Sequence, residues 1–147
     1  MNAPVKSFLI LLFISFLYSC KPNMMISHGS SFGRCQGFCN KELQLFAKKT
    51  RFKTWENSDA KITNSLEVAN MGTDFNKIIS QLDLTNFKKL KSTYGCPDCA
   101  DGGAEWIAVK TRRSTKRVTF EYGNPPGELK ALNEQLRAIQ QHYDKSK

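Results

Sequence analysis

Alternating apolar and polar positions predict two β-hairpins, and the first lies in the N-terminal half of the chain. Apolar residues occupy every second position over 43–47, and residues 52–55 are rich in β-forming side chains. The basic pair at 48–49 separates these segments, so we predict a hairpin that turns there. A third strand is predicted over 61–68, with its apolar residues on one face.

The second hairpin is predicted closer to the C-terminus. Apolar and polar residues alternate over 106–111 and again over 117–122, and residues 112–115 form the turn between them. Such alternation is typical of antiparallel strands that have one face in the core and one face in water. Residues 92–103 are crowded with Gly, Pro and Asp, which predicts a loop.

Helical periodicity marks two further segments. Thr73 can cap a helix whose apolar residues lie at i, i+3, i+4 and i+7, and residues 84–90 add a helical turn or two. An Asn-Pro-Pro-Gly break at 124–127 precedes the last helix. The predicted apolar faces comprise Phe75, Ile78, Ile79 and Leu82 in the first helix and Leu129, Leu132, Leu136, Ile139 and Tyr143 in the last.

The order of these elements, β-β-(β)-α-β-β-α, predicts the fold class. Each helix has a single apolar stripe, so we expect an α+β fold in which two helices cover one face of a small antiparallel sheet. We assign residues 34–147 to this domain, and a chain of 147 residues fits a single domain.

The N-terminal segment, 1–19, has the pattern of a lipoprotein signal peptide. Lys6 is its only charged residue, and its apolar run, interrupted only by Ser15, is too short to cross a bilayer, which takes about 20 helical residues. The run ends in Leu-Tyr-Ser-Cys, a relaxed lipobox in which Cys20 is acylated with fatty acids such as palmitate. An ordinary signal peptide that is cut elsewhere and a retained membrane anchor are the alternatives.

Residues 20–33 are predicted to comprise the lipidated cysteine and a flexible tether. The segment after Cys20 contains Pro, Gly and several Ser and Asn residues without usable periodicity. A flexible segment of this length spans on the order of 20 Å, enough to lift the domain off the lipid headgroups. We therefore expect a membrane-anchored protein of the cell envelope that faces the periplasm or the exterior.

The charge of the chain, +9, indicates which partners to expect. In an exported protein this charge argues against nucleic acid and favours anionic envelope surfaces. One basic patch is concentrated at the second hairpin, where it is either a solvated turn or a contact for lipid headgroups or envelope polyanions. It comprises Lys110, Arg112, Arg113, Lys116 and Arg117.

Four cysteines remain if Cys20 is acylated, and they form two close pairs: Cys35 with Cys39, and Cys96 with Cys99. An even number of cysteines in an oxidising compartment favours disulfides, and four cysteines allow three pairings. Local pairs close small loops, whereas crossed pairs would close loops of about 60 residues and stabilise by nominally about 4 kcal/mol. Both arrangements stay open at this point.

The same cysteines suggest two chemical alternatives. The Cys-Pro-Asp-Cys motif at 96–99 has the spacing of disulfide oxidoreductases, but a strand follows it, so no helix N-terminus would stabilise a thiolate. Four thiolates could instead hold zinc if they stayed reduced. Met24, Met25 and His28 would add copper ligands, although they fall in the predicted tether.

Hydrolytic chemistry finds no support in the sequence. There is no Gly-x-Ser-x-Gly motif, and the histidines are His28 in the predicted tether and His142 near the end of the last helix. Asp98 and Asp101 fall short of a calcium-loop pattern and are interpreted as turn residues. We therefore assign no catalytic residue and expect no cofactor.

Four short motifs together resemble a bacterial domain-of-unknown-function family (6438). They are Cys-Gln-Gly-Phe-Cys at 35–39, Asn-Phe-Lys-Lys-Leu at 86–90, a loop led by Tyr94, and Tyr-Gly-x-Pro-Pro at 122–126. The resemblance covers most of 34–143. It implies an exported or lipid-anchored protein and supports the predicted fold, and since the family has no assigned activity it transfers no catalytic residue.

The chain departs from this family pattern at three places. Asn40 stands where proline is usual, residues 47–49 replace a Gly-Asp-Gly-like turn, and the cysteine pair at 96 and 99 is additional. The resemblance therefore leaves the function open. We expect a non-enzymatic binding or interaction domain, with the membrane and an unknown envelope protein or polyanion as partners. The alternative is a thiol-disulfide oxidoreductase or a zinc- or copper-binding envelope protein.

Overall fold

Seven strands form one sheet in a computed structural model that describes residues 24–57, 64–69 and 73–145. In chain order the strands are β1 (Met25–Ser31), β2 (Asn40–Phe46), β3 (Lys49–Trp55), β4 (Asn64–Ala69), β5 (Thr93–Tyr94), β6 (Ala104–Lys110) and β7 (Thr115–Glu121). Their order across the sheet is β4-β3-β2-β1-β6-β7-β5. Neighbours are antiparallel, except that the two-residue β5 runs parallel to β7.

Three helices cover one face of this sheet, which we call the helix face. They are α1 (Thr73–Gln81), α2 (Leu84–Lys89) and α3 (Lys130–Lys145), with short 3₁₀ turns at Cys99–Asp101 and Gly127–Leu129. The predicted apolar stripes lie in the core, where Ile78 of α1 and Leu136 of α3 are fully buried. Among the described residues no helix packs on the opposite face, which we call the open face, and none is long and apolar enough to cross a membrane.

The mixed α+β class is therefore confirmed, but the sheet is larger than predicted and the order of elements differs. The observed order is β-β-β-β-α-α-β-β-β-α, because a strand precedes the first predicted hairpin and a short one interrupts the predicted loop over 92–103. The hairpins β2–β3 and β6–β7 fall where the sequence predicts them. Strand β4 covers residues 64–68 of the strand predicted over 61–68, and residues 61–63 lie outside the described residues.

The largest correction concerns the predicted tether, because β1 occupies Met25–Ser31 at the centre of the sheet. Its backbone pairs with β2 on one side and β6 on the other, so small and polar residues are buried there without an apolar alternation. Ile26, His28 and Ser30 face the helices, whereas Ser27 and Gly29 lie on the open face. Residues 1–23, which include Cys20, lie outside the described residues.

The two ends of the sheet have different characters. At one end β1 begins with Met25 paired to Phe46 and Lys110, beside two turns rich in lysine and arginine. At the other end β1 finishes with Ser31 paired to Asn40 and Ala104, beside both cysteine loops. We call these the basic end and the cysteine end.

Candidate functional site

A histidine and a glutamate form the centre of a polar cluster buried under α3. His28 lies on β1 and Glu105 on the neighbouring β6, and both side chains point to the helix face near the cysteine end. The Nε2 atom of His28 is 2.7 Å from Oε1 of Glu105, and the two side chains are 2% and 0% exposed. Charged or polar groups buried to this extent need partners, and neighbouring elements provide them.

Helix α3 provides two of these partners from one face. Arg137 Nε lies 3.0 Å from Oε1 of Glu105, and the side-chain oxygen of Gln140 contacts Nδ1 of His28. The spacing of three residues places both side chains on the same side of the helix. The turn after β7 adds the backbone N–H of Gly123, which donates to Oε2 of Glu105 at 3.0 Å.

These contacts determine the charge state of Glu105. Burial raises the pKa of this carboxyl, but the hydrogen bonds from His28 and the Gly123 N–H and the charges of His28 and Arg137 outweigh it. The pKa of Glu105 therefore lies below its ordinary value, and the carboxylate is ionised at neutral pH. An ionised carboxylate only accepts hydrogen bonds, so Nε2 of His28 is the donor.

A pocket of about 220 Å³ opens above this cluster at the cysteine end. The Arg137 guanidinium lies over the Tyr122 ring, 4.6 Å from its centroid, and the Phe32 ring is 4.7 Å from that of Tyr122. On another side Lys41 of β2 pairs with Asp144 of α3 at 2.5 Å. The pocket therefore combines paired charges, side-chain amides and an aromatic surface, a combination that suits a small polar ligand.

The four cysteines form two local disulfides in this structure, Cys35–Cys39 and Cys96–Cys99. The Cα–Cα distances are 5.6 and 5.5 Å, within the ordinary range for disulfides. The expectation of disulfides is thus confirmed, and the crossed pairings that loop entropy favours are absent. An ion pair connects the two cysteine loops: Nε of Arg34, next to Cys35, lies 3.2 Å from Oδ2 of Asp101, which follows Cys99.

The surroundings of Cys96 do not favour a reactive thiolate. Cys99–Asp101 is a three-residue 3₁₀ turn, and β6 follows it. The backbone N–H of Cys96 donates to Oε1 of Glu121 at 2.9 Å, and this bond, with another from Asn124, holds the pKa of Glu121 below its ordinary value. The result is an ionised carboxylate beside Cys96, which disfavours a second negative charge there.

The proposed metal ligands are not brought together. Side chains alternate along β1, so Met25 and His28 lie on opposite faces of the sheet, and His28 is engaged by Glu105. Within residues 24–57, 64–69 and 73–145, no group of three or more His, Cys, Asp and Glu side chains could hold a metal ion. Asp98 and Asp101 both have positive φ values, 65° and 60°, in the turn around Cys99.

The predicted basic patch divides into two parts. Lys110 ends β6, and Arg112 and Arg113 are exposed in the following turn at the basic end. Lys116 instead donates to the carbonyl of Leu90 at 2.6 Å. Arg117 covers the Trp106 ring at 4.1 Å, where burial lowers the pKa of its guanidinium. The last two residues therefore stabilise the fold, and the first three remain candidates for binding.

The cluster around Glu105 is absent from the sequence-based predictions. The sequence pattern places His28 in the predicted tether, and Glu105 stands in a strand whose other buried residues are apolar. The sequence feature that could have indicated the cluster is on the last helix, where the polar residues Arg137 and Gln140 are three positions apart and flank the apolar stripe. His142, the other histidine, lies near the end of α3, as predicted, and is exposed.

Comparison with known proteins adds no family to this description. The resemblance to the domain-of-unknown-function family therefore stays a prediction. No protein-family model matches the chain, and no curated protein has a significant match to it.

Proposed function

We propose that this chain is a lipid-anchored protein of the cell envelope whose domain binds a small polar ligand without transforming it. The sequence pattern predicts the signal peptide and the acylation of Cys20. The proposed ligand site is the pocket above His28 and Glu105. One observation carries the proposal: an ionised carboxylate lies at the floor of an open pocket and is engaged by His28, Arg137 and the Gly123 N–H.

The position of the cluster supports a preorganised binding site. Its members come from two central strands and a long helix, and such elements hold side chains more firmly than loops do. Removing Glu105 and His28 from water is energetically costly, and well-packed apolar residues often stabilise a core equally well. A polar cluster at the base of a pocket is therefore better explained by binding than by stability.

Geometry argues against catalysis at this site. One ring nitrogen of His28 is bound to Glu105 and the other contacts Gln140, so neither is directed at a substrate. The cysteines are paired, and a carboxylate neighbours Cys96. These contacts favour a binding role over thiol-disulfide exchange.

The pairing of charges indicates the chemistry of the ligand. Each charged side chain that lines the pocket already has a partner of opposite charge, Lys41 with Asp144 and Glu105 with Arg137 and His28, so a charged ligand would have to compete with these contacts. A neutral, hydroxyl-rich molecule can use their remaining donors and acceptors, and its C–H face can lie on Tyr122. We therefore propose a saccharide unit as the ligand class.

The test is a thermal-shift and calorimetric titration with glucose, N-acetylglucosamine and short oligomers of each. The informative variant is Tyr122→Ala, since this ring is 43% exposed and its removal should disturb the fold little. Phe38→Ala is a matched control, because Phe38 is 42% exposed and does not line the pocket. We expect binding to fall tenfold or more in Tyr122→Ala and to persist in Phe38→Ala. An unchanged melting temperature with every sugar, or equal binding by both variants, contradicts the proposal.

A further inference from the structure

A groove of about 580 Å³ lies on the open face at the basic end of the sheet. Its lining includes four basic side chains and no carboxylate, the basic ones being Arg51, Lys53, Lys110 and Arg112. Three apolar side chains, Met24, Met25 and Phe46, lie among them. Apolar side chains interspersed with lysine and arginine are the combination that membrane-surface segments use.

The basic residues of this groove differ in how far they are already paired. Arg51 binds Glu67 at 2.6 Å, and Lys53 lies 3.8 Å from Oε2 of Glu42. Lys110 and Arg112 are exposed and have no carboxylate partner in the described part of the chain. These two side chains are therefore available to an anionic ligand.

Three further acidic side chains lie toward the other end of the sheet, away from Lys110 and Arg112. Asp98, Asp101 and Glu121 all lie beside the cysteine loops, about 20 Å away along β1. Because Glu67 and Glu42 already pair with Arg51 and Lys53, the positive charge of the groove that is unpaired within the described residues belongs to Lys110 and Arg112. An anionic surface would attract this part of the basic end.

The path of the chain brings the same groove close to the proposed anchor. Met24 lines the groove and directly precedes β1, so only residues 21–23 separate it from Cys20. Four residue steps span at most about 14 Å when fully extended. If Cys20 is acylated, as proposed above, the groove lies within reach of the lipid headgroups, closer than the predicted tether of residues 20–33 would have allowed.

We infer that this groove binds the headgroups of anionic phospholipids and holds the basic end of the domain against the membrane. Phosphate groups pair with Lys110 and Arg112, and Met25 and Phe46 contact the boundary between headgroups and acyl chains. The saccharide pocket at the cysteine end then faces away from the bilayer. The groove itself needs neither the acyl chain nor the pocket ligand in order to bind.

The experiment uses the chain from position 20 onward with Cys20→Ser, so that no lipid anchor contributes to binding. Every described strand and helix lies after residue 23, which keeps the core intact. Cosedimentation is measured with vesicles of phosphatidylcholine alone and of phosphatidylcholine mixed with phosphatidylglycerol, at low and high salt. We expect binding only to the anionic vesicles, and loss of it at high salt because exposed charges are screened.

Two variants with the same change in charge locate the binding surface. Lys110→Glu with Arg112→Glu alters the groove, and Lys77→Glu with Lys130→Glu alters exposed residues of α1 and α3 in the helical layer. Each basic residue near an anionic surface is worth roughly a fivefold change in partitioning. The groove variant should therefore lose at least about 25-fold, and the helix variant should retain most of the binding. Melting curves by circular dichroism establish that both variants are folded.

Several outcomes would overturn this inference. They are equal losses in the two variants, binding to neutral vesicles as strong as to anionic ones, or no vesicle binding at all. Binding of soluble dextran sulfate without vesicle binding would assign the groove to a polyanion instead. Tyr122→Ala should leave vesicle binding unchanged, so failure of the saccharide proposal and failure of the membrane proposal are distinguishable.

Discussion

Trp106 of β6 occupies the space that a side chain at Gly29 of β1 would need. The two residues pair across the ladder, and a Cβ atom on Gly29 would overlap the Trp106 ring and lie 2.8 Å from the carbonyl oxygen of Lys41. Arg117 covers the same ring from the next strand at 4.1 Å. Gly29 is therefore required by packing at the centre of the sheet, one residue away from His28.

Gly29→Ala should destabilise the domain by about 1–3 kcal/mol, the range for overpacking a well-packed site. Gly127→Ala is the matched control, since nothing lies within 4 Å of a Cβ built on Gly127. Urea denaturation of both variants measures the difference in the free energy of unfolding. Equal stability of the two variants would mean that β1 does not pack against Trp106 as described.

Glu105→Gln should lower stability by about 3–5 kcal/mol at neutral pH, because the buried His28 and the half-buried Arg137 would face a neutral amide. Glu134→Gln, the same change at an exposed position of α3, should be close to neutral. Differential scanning calorimetry of both variants and the native chain provides the comparison. A loss below about 0.5 kcal/mol in Glu105→Gln would contradict the buried ion pair.

The same glutamate should make stability depend on pH in a defined direction. Because its pKa is lower in the folded chain than the ordinary value of 4.5, its contribution is present above pH 4.5 and is lost as the pH falls through the folded pKa. The difference in melting temperature between the native chain and Glu105→Gln should therefore shrink below pH 4.5. A difference that grows as the pH falls would mean that the pKa of Glu105 is raised instead.

Each disulfide should join the two cysteines that lie close together in the sequence. Peptide mapping without reduction should recover Cys35–Cys39 and Cys96–Cys99, and any crossed peptide would contradict the structure.

The double substitution Cys96→Ser with Cys99→Ser should lower the free energy of unfolding by about 2 kcal/mol, since a small loop constrains the unfolded chain only modestly. After selective reduction, iodoacetamide should modify Cys96 at neutral pH no faster than free cysteine, because the Glu121 carboxylate lies beside it.

Cys20 should be acylated and should become the N-terminus of the mature chain. Mass spectrometry of the membrane fraction should detect an N-terminal cysteine that carries fatty acyl groups. Cys20→Ser should leave a precursor that is not cut at this position, with Cys35→Ser as a control that is still processed. A mature N-terminus elsewhere, without lipid, would contradict the anchor.

The sequence alone determined the elements that have a local physical signal. Alternation identified β2, β6 and β7, and the 3–4 spacing of apolar residues identified α1 and α3, because each periodicity matches the geometry of one face. β-Forming side chains identified β3. The α+β class follows from those elements. The cysteine count predicted disulfides, although it left their pairing undetermined.

Tertiary structure decided what depends on neighbours that are distant in sequence. Residues 25–31 include three serines, one histidine and one glycine and have no apolar alternation. They nevertheless form the central strand, because β2 and β6 form hydrogen bonds with their backbone on both sides. His28 meets Glu105 only because those strands pair, and Arg137 reaches them only because α3 packs above. Local pattern contains no information about such contacts, since each one joins residues that the sheet and helix bring together from separate parts of the chain.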